Sequence, residues 1–448
     1  MKRLIAGLVL GIALQPLLAC ATRAPSTHEF ILDNGLKLIV HQDHRASLVH
    51  THLWYRSGSN QEEPGKSGLA HAVEHMQFNG SSKLCPGESD QILQYLGGSE
   101  NATTEHDATL YFQTTPPHAL AVSFEMLADQ MSTSHLTQAQ WMGEREVIKS
   151  ERSEVVDNNP VQRARELLHR LAHPASPQGS PIIGWLHDLE RLHIDDLKRW
   201  YQQWYAPNNA ILVVAGDVQA EQVKALADRY FGPIPRRALP VRTVARELAA
   251  PGERSITQYI AHQPAMLYMA FNVPSQNTQT APHIAPALEL LSEMLAGGDS
   301  SLLKSQLWRS EGLVTAITTH YNAISRGDEL FNISAMPDME KAKSLEAVKE
   351  RIIGIIDTLK KNPPALEDLE RARTRIIARR VFDRDELFNQ ASRMGELEVA
   401  GLSWQDEQAR LDVFKSITPQ DIQHTAQTFL SRNRLTTSYA LPEEVPHD

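Results

Sequence analysis

His71-Ala72-Val73-Glu74-His75 is the stretch from which the rest of this 448-residue chain is read. On a helix, at about 3.6 residues per turn, positions 71 and 75 lie one above the other with position 74 beside them. Two imidazoles and a carboxylate then share one face. Two His at i and i+4 are spaced to hold one Zn²⁺, and a Glu between them that is not a ligand can take a proton from water on the metal. Gly68-Leu69-Ala70 leads into these residues and Met76-Gln77-Phe78-Asn79-Gly80 follows, which predicts a helix with an apolar face broken by glycine on both sides.

A zinc site of this kind needs a third protein ligand and leaves a fourth position for water. A candidate segment lies downstream in Glu144-Arg145-Glu146-Val147-Ile148-Lys149-Ser150-Glu151, where Glu144 and Glu151 stand two helical turns apart on one face. Glu146 and Lys149 read instead as an ordinary intrahelical ion pair. Between the two segments, the run from Asn101 to Phe112 has the β-branched and aromatic content of a strand.

With these residues the chain resembles the pitrilysin/insulinase family of zinc metallopeptidases, especially the short-chain branch that includes mitochondrial processing peptidase. In that family the order H-x-x-E-H is the inverted zincin motif. The third ligand there is a Glu about 76 residues beyond the second His, with a supporting Glu seven residues earlier. The resemblance therefore implies that His71, His75 and Glu151 hold Zn²⁺, that Glu74 is the general base, and that Glu144 orients the site. The Asn101–Phe112 run resembles the family's N-A-x-T-x-x-D-x-T-x-Y-Y stretch, where a substrate peptide adds as an extra strand. Asn101 and Ala102 are carried over as peptide contacts. Pro181–Trp185 and Tyr205–Asp217 resemble structural signatures of the same family. The activity implied is zinc-dependent hydrolysis of unfolded peptides.

The length calls for more than one core. Leu192–Leu197 precedes a helix and a strand starting at Ala210, and Ile417–Ile422 precedes a helix and a strand starting at Leu435. The shared offset suggests an internal duplication. The reading is α+β: two homologous sandwich domains, each a mixed sheet packed with helices, forming a clamshell by resemblance. Residues 21–232 make the peptidase domain, 233–256 a Pro- and Arg-rich linker, and 257–448 the second domain. Expected strands include 28–40, 48–56 and 258–273; expected helices include 119–132, 283–296 and 340–361.

Lys2 and Arg3 followed by an apolar stretch from Leu4 to Leu14 read as a secretory signal, too short to span a bilayer. It ends in Leu17-Leu18-Ala19-Cys20, which resembles a bacterial lipobox. Residues 1–20 are then a lipoprotein signal and Cys20 the acylated first residue of an outer-membrane lipoprotein facing the periplasm. The alternative is plain cleavage after Ala21. Cys85 is the one other thiol, so the mature chain has no intramolecular disulfide. A formal net charge of −10 without any basic run argues against nucleic-acid binding.

The second half departs from the family. Many members carry an Arg and a Tyr there that grip the substrate backbone. Aligned on Ser300, Leu307 and Gly312, this chain has Trp308 and Thr315 at those positions. Arg309 could replace the Arg only if the helix shifted by one residue. The expected explanation is a heterodimer in which this chain bears the zinc and a homologous, non-catalytic partner supplies the Arg/Tyr pair. A self-sufficient peptidase and a non-catalytic assembly protein on the same fold remain the alternatives.

Overall fold

The computed structural model describes residues 25–443 apart from 243, 245 and 262, so the leader and Cys20 lie outside the described residues. The first half builds a six-stranded sheet from β1 (Ser26–Ile31), β2 (Lys37–Gln42), β3 (Val49–Tyr55), β4 (Ser99–Thr104), β5 (Thr109–Thr115) and β6 (Ala210–Gly216). Their order is β1-β2-β6-β3-β5-β4. The second half builds a five-stranded sheet from β7 (Arg254–Ile260), β8 (Met266–Val273), β9 (Val314–His320), β10 (Glu329–Pro337) and β11 (Leu435–Pro442), in the order β7-β11-β8-β10-β9.

The duplication is visible in this topology. β6 lies parallel to β2 and antiparallel to β3, and β11 lies parallel to β7 and antiparallel to β8. β3-β5-β4 and β8-β10-β9 then continue as antiparallel ladders. The second sheet lacks a counterpart of β1 among the described residues.

Helices cover both faces of each sheet. On the first sheet, Leu212 and Val214 of β6 enter the main core with Leu69, Val73 and Leu197. Ile211, Val213 and Ala215 face the other way, onto Leu387, Ala391 and Val399. Burial on both faces is why the β6 sequence is a continuous apolar run rather than an alternating one. The helix Leu387–Ala400 that provides this cover belongs to the second half of the chain. Reciprocally, the helix Pro160–Ala172 of the first half lays Ala164, Leu168 and Ala172 on Tyr268 and Ala270 of the second sheet. Each half thus lends one helix to the other's sheet.

Several expected elements divide where a turn was overlooked. Stretch 28–40 is the hairpin β1/β2, whose turn carries Gly35 at φ +89° while Asn34 donates to the carbonyls of Phe231 and Ile234. An Asn-Gly pair of this kind supplies the left-handed backbone a tight turn needs. Stretch 258–273 is β7 and β8, which do not pair with each other, because β11 inserts between them. The Asn101–Phe112 run is the hairpin β4/β5, closed by Thr104 opposite Thr109. Helix 340–361 breaks at Lys343 (φ 65°) into Met339–Ala342 and Leu345–Lys361. The helix expected at 283–296 runs Ile284–Ser292 and finishes in a π turn, Glu293–Gly297. No helix or strand occupies the described part of 235–253, and β7 begins inside the stretch read as linker.

Along the exchanged helix, Leu387, Ala391, Gly395 and Val399 recur every fourth residue and make one ridge. A Cβ on Gly395 would lie 2.0 Å from Nε1 of the buried Trp54. Gly395→Ala is therefore expected to cost about 1–3 kcal/mol, the range for overpacking a filled core. A fall in the denaturant midpoint at constant m-value is the readout, and an unchanged midpoint would mean that the helix slides without cost.

Candidate metal centre

The helix Leu69–Met76 buries Ala70, Ala72, Val73 and Met76 in the first core, which leaves the face of His71 and His75 with only a small exposed area. Its start is held from two sides. Gly68 adopts φ +86°, and a Cβ there would come within 2.9 Å of Gly184 Cα, so the two chain segments touch. Glu62 accepts from the N–H groups of Gly68 (3.1 Å) and Ala70 (2.8 Å), satisfying donors that the first helical turn leaves free. Burial pushes the Glu62 carboxyl up to about 8. Reading by motif overlooked Glu62; an acidic residue shortly before an uncapped glycine start was the available signal.

His71 and His75 stand with ring centroids 4.5 Å apart. Glu151 Oε2 lies 3.7 Å from His71 Nε2 and 3.4 Å from His75 Nε2. The candidate ligand atoms of the three residues all fall within 4.8 Å of one another, the one such cluster among the described residues. A tetrahedral zinc with bonds of about 2.0–2.1 Å separates its ligand atoms by about 3.3 Å, so these spacings fit with little movement. The donor chemistry fits as well. Glu151 Oε2 and His71 Nδ1 are buried without a hydrogen-bond partner, and a cation satisfies the carboxylate oxygen directly.

Glu144, two turns before Glu151 on the helix Gln138–Arg152, meets the other nitrogen of the same imidazole: its Oε1 is 2.8 Å from His75 Nδ1. Asn79 Nδ2 donates to Glu144 Oε2 at 3.0 Å. Burial works against a charge on His75, but the hydrogen bond to Glu144 and the nearby Glu151 carboxylate outweigh it and push the imidazole up to about 9. The site is therefore rich in negative charge and suited to a cation. Glu74 lies next to it, buried, with its Oε2 accepting from Thr104 Oγ1 at 2.5 Å. Burial raises the Glu74 carboxyl above its ordinary range. Glu146 pairs with Lys149 at 3.1 Å, away from the centre.

A cavity of about 620 Å³ opens on the centre. Asn101 and Ala102 line it from β4, the outermost strand of its sheet. Part of its wall is the exchanged helix Pro160–Ala172, through Gln162, Arg165, Glu166 and His169. Those positions, spaced i, i+3, i+4 and i+7, share one helix face; that periodicity was the unread signal for them. Arg152, immediately after Glu151, is buried and ties three segments together. It donates to Gly184 O at 2.7 Å and forms a two-point pair with Glu166 at 3.0 Å on each arm.

Trp308 and Thr315 are not part of this cavity's lining. Trp308 is half-exposed, and the Thr315 hydroxyl donates to Met336 O. Lys304–Ser310 is a π-helical segment, whose wider turn inserts one residue relative to an α-helix.

Two models of one family cover most of the chain: insulinase (peptidase family M16) matches residues 37–184, and the peptidase M16 inactive domain matches residues 191–376. The chain belongs to peptidase family M16. It is 28% identical to the zinc protease PqqE of Helicobacter pylori over 358 residues, 78% of each chain. It is 26% identical to the mitochondrial-processing peptidase subunit beta of Saccharomyces cerevisiae over 276 residues, 61% of this chain and 56% of that one. The crystal structure of a protease from Helicobacter pylori superimposes with a TM-score of 0.86 at 25% identity, covering 93% of this chain and all of that one. The fold is thus the two-domain fold of M16 peptidases, and the family metal is Zn²⁺.

Glu144→Ala is expected to weaken zinc binding by about 10–100-fold, the usual cost of losing a carboxylate that orients a metal-binding His. Arg152→Met should weaken it too, since Glu151 then loses its anchored neighbour. Chelator competition followed by zinc readout measures both, and affinities equal to wild type would contradict these supporting roles.

Proposed function

We propose that this M16-family chain is a zinc-dependent endopeptidase acting on unfolded peptides. The observation that carries this reading is the convergence of His71 Nε2, His75 Nε2 and Glu151 Oε2 beside the buried Glu74. In this reading the three residues hold zinc, which supplies Lewis acidity toward a water molecule and a substrate carbonyl. Glu74 takes the proton of the attacking water and returns it to the leaving amine. Its raised affinity for a proton, caused first by burial, suits a group that must carry one between two steps. Glu144 keeps His75 in the tautomer that presents Nε2 to the metal. The free edge of β4 takes the substrate as an added strand through main-chain hydrogen bonds at Asn101 and Ala102, which requires an extended segment.

Glu74→Gln should abolish hydrolysis with zinc still bound, whereas Ala at His71, His75 or Glu151 should remove the metal. Zinc content by atomic emission after dialysis, paired with a peptide assay, distinguishes the roles; equal zinc in all four variants would refute them.

The chain acts, in our reading, with a homologous partner that contributes the Arg and Tyr missing at positions 308 and 315. The relatives named as subunit beta of a processing peptidase support this reading. Alone, the protein should bind zinc but cleave poorly. The partner should raise kcat/KM at least tenfold, about 1.4 kcal/mol of transition-state stabilisation. One observation favours the self-sufficient alternative: the π turn at Lys304–Ser310 provides the one-residue shift that Arg309 needs. Arg309 is exposed and pairs only loosely with Asp299, at 3.6 Å. Full activity of the isolated chain, lost in Arg309→Ala, would establish that alternative in place of the heterodimer.

The compartment we propose is the periplasmic face of the outer membrane, with Cys20 as the lipid anchor. Cys20→Ser should move the protein from the membrane to the soluble fraction and abolish palmitate labelling. A wild-type chain that is already soluble and starts at Thr22 would exclude it.

A further inference from the structure

The helix Pro160–Ala172, which lines the cavity beside the candidate centre, carries one charge that no carboxylate among the described residues balances. Of the four residues that the helix Pro160–Ala172 turns to the cavity, Gln162 is neutral and Glu166 has both oxygens taken by Arg152. Burial pushes His169 down to about 4, so at neutral pH it is uncharged, and burial lowers His106 on the adjoining wall as well. Arg165 remains. Among the described residues no carboxylate comes within 4.0 Å of its guanidinium. Its one recorded aromatic neighbour is Tyr268 of the second sheet, whose ring centre is 5.8 Å from Cζ. The guanidinium also approaches the Tyr268 hydroxyl, and a planar group with five N–H donors keeps others for a ligand. The carboxylates of Glu74 and Glu151, which line the same cavity, belong to the proposed metal centre.

We propose that Arg165 makes this wall a receptor for a peptide carboxylate, an Asp or Glu side chain or the chain terminus, within a few residues of the scissile bond. This rests on the peptidase reading and adds a substrate class to it. Arg165 is exposed to the solvent of the cavity; its planar guanidinium matches a carboxylate with two parallel hydrogen bonds, and Lys or Arg in the same place would meet like charge. The selectivity is set by the local wall and runs against the net charge of −10, which by itself would favour basic peptides. It also depends on Arg152, because a Glu166 released from that pair would neutralise Arg165 from the next position on the helix.

The test uses extended peptides, amidated or with a free C-terminus, that differ by Glu, Gln or Lys at single positions on either side of the cleaved bond. Binding is measured by anisotropy on the hydrolysis-deficient Glu74→Gln protein loaded with zinc, and cleavage on the wild type. At one position, Glu should bind about tenfold more tightly than Lys, the scale of one charge-assisted hydrogen bond, with the difference appearing mainly in KM. Arg165→Glu should invert that order, and Arg165→Gln should flatten it. A preference that follows the amidation state rather than the side chain assigns the carboxylate to the chain terminus. Equal Glu/Lys ratios in wild type and Arg165→Glu would overturn the proposal while leaving peptide hydrolysis standing. Selective binding with no hydrolysis by the wild type would keep the carboxylate site and overturn the peptidase reading instead.

Discussion

A sheet with apolar residues on both faces must be covered on both faces, and the rest of this molecule follows from how that cover is arranged. β6 and β8 carry side chains of both kinds of contact: Leu212 and Val214 face the first core while Ile211 and Val213 face the second half of the chain. Likewise Met269 and Phe271 enter the second core while Tyr268 and Ala270 meet a helix from the first half. Neither half can bury its sheet with its own helices as folded here. The exchanged helices Leu387–Ala400 and Pro160–Ala172 therefore hold the two halves together through apolar burial, at roughly 25 cal/mol per Å² removed from water.

The metal centre inherits this arrangement. The helix Pro160–Ala172 has one face on the second sheet and another on the cavity, so this part of the wall around His71 and His75 is positioned by packing between halves. Arg152 carries the coupling one step further. Its guanidinium joins the residue after Glu151 to the exchanged helix at Glu166 and, through the Gly184 carbonyl, to the segment that abuts Gly68. The two ends of the proposed ligand set, His71 on one helix and Glu151 on another, are thereby referred to a common buried pair. Removing Arg152 leaves the half-buried Glu166 without its ion-pair partner, and losing one partner of a buried pair costs about 3–5 kcal/mol. The arrangement is consequently stiff.

Electrostatics at the centre is lopsided in a way that suits its chemistry. Glu62, Glu74, Glu144 and Glu151 lie around one short helix, and His75 is the side chain whose protonated state three of them favour. Glu62 is answered by helix N–H groups, Glu74 by Thr104, Glu144 by His75 and Asn79, while Glu151 retains a buried oxygen without a partner. A divalent cation would resolve that imbalance, and Arg165 lines the same cavity without entering the cluster.

Much of this was legible in the order of residues. The H-x-x-E-H spacing places two imidazoles on one helix face by geometry alone, and the seven-residue interval from Glu144 to Glu151 brings two carboxylates to one imidazole from opposite sides. The repeat offset between Ala210 and Leu435 marked the duplication, which the matching sheet orders display. Local turn chemistry was also present but unread: Asn34-Gly35 divides β1 from β2, and the break at Lys343 divides two helices. Other features depended on contacts between distant segments. That β11 separates β7 from β8, that Glu62 caps the motif helix, and that Arg152 neutralises Glu166 while Arg165 has no carboxylate partner among the described residues are not periodicities of any one stretch. Local spacing determines which side chains share a face, because helix and strand geometry repeat along the chain. Which face meets which, and therefore which charge is balanced and which is left facing the cavity, was decided only when the two halves exchanged helices and buried their sheets against each other.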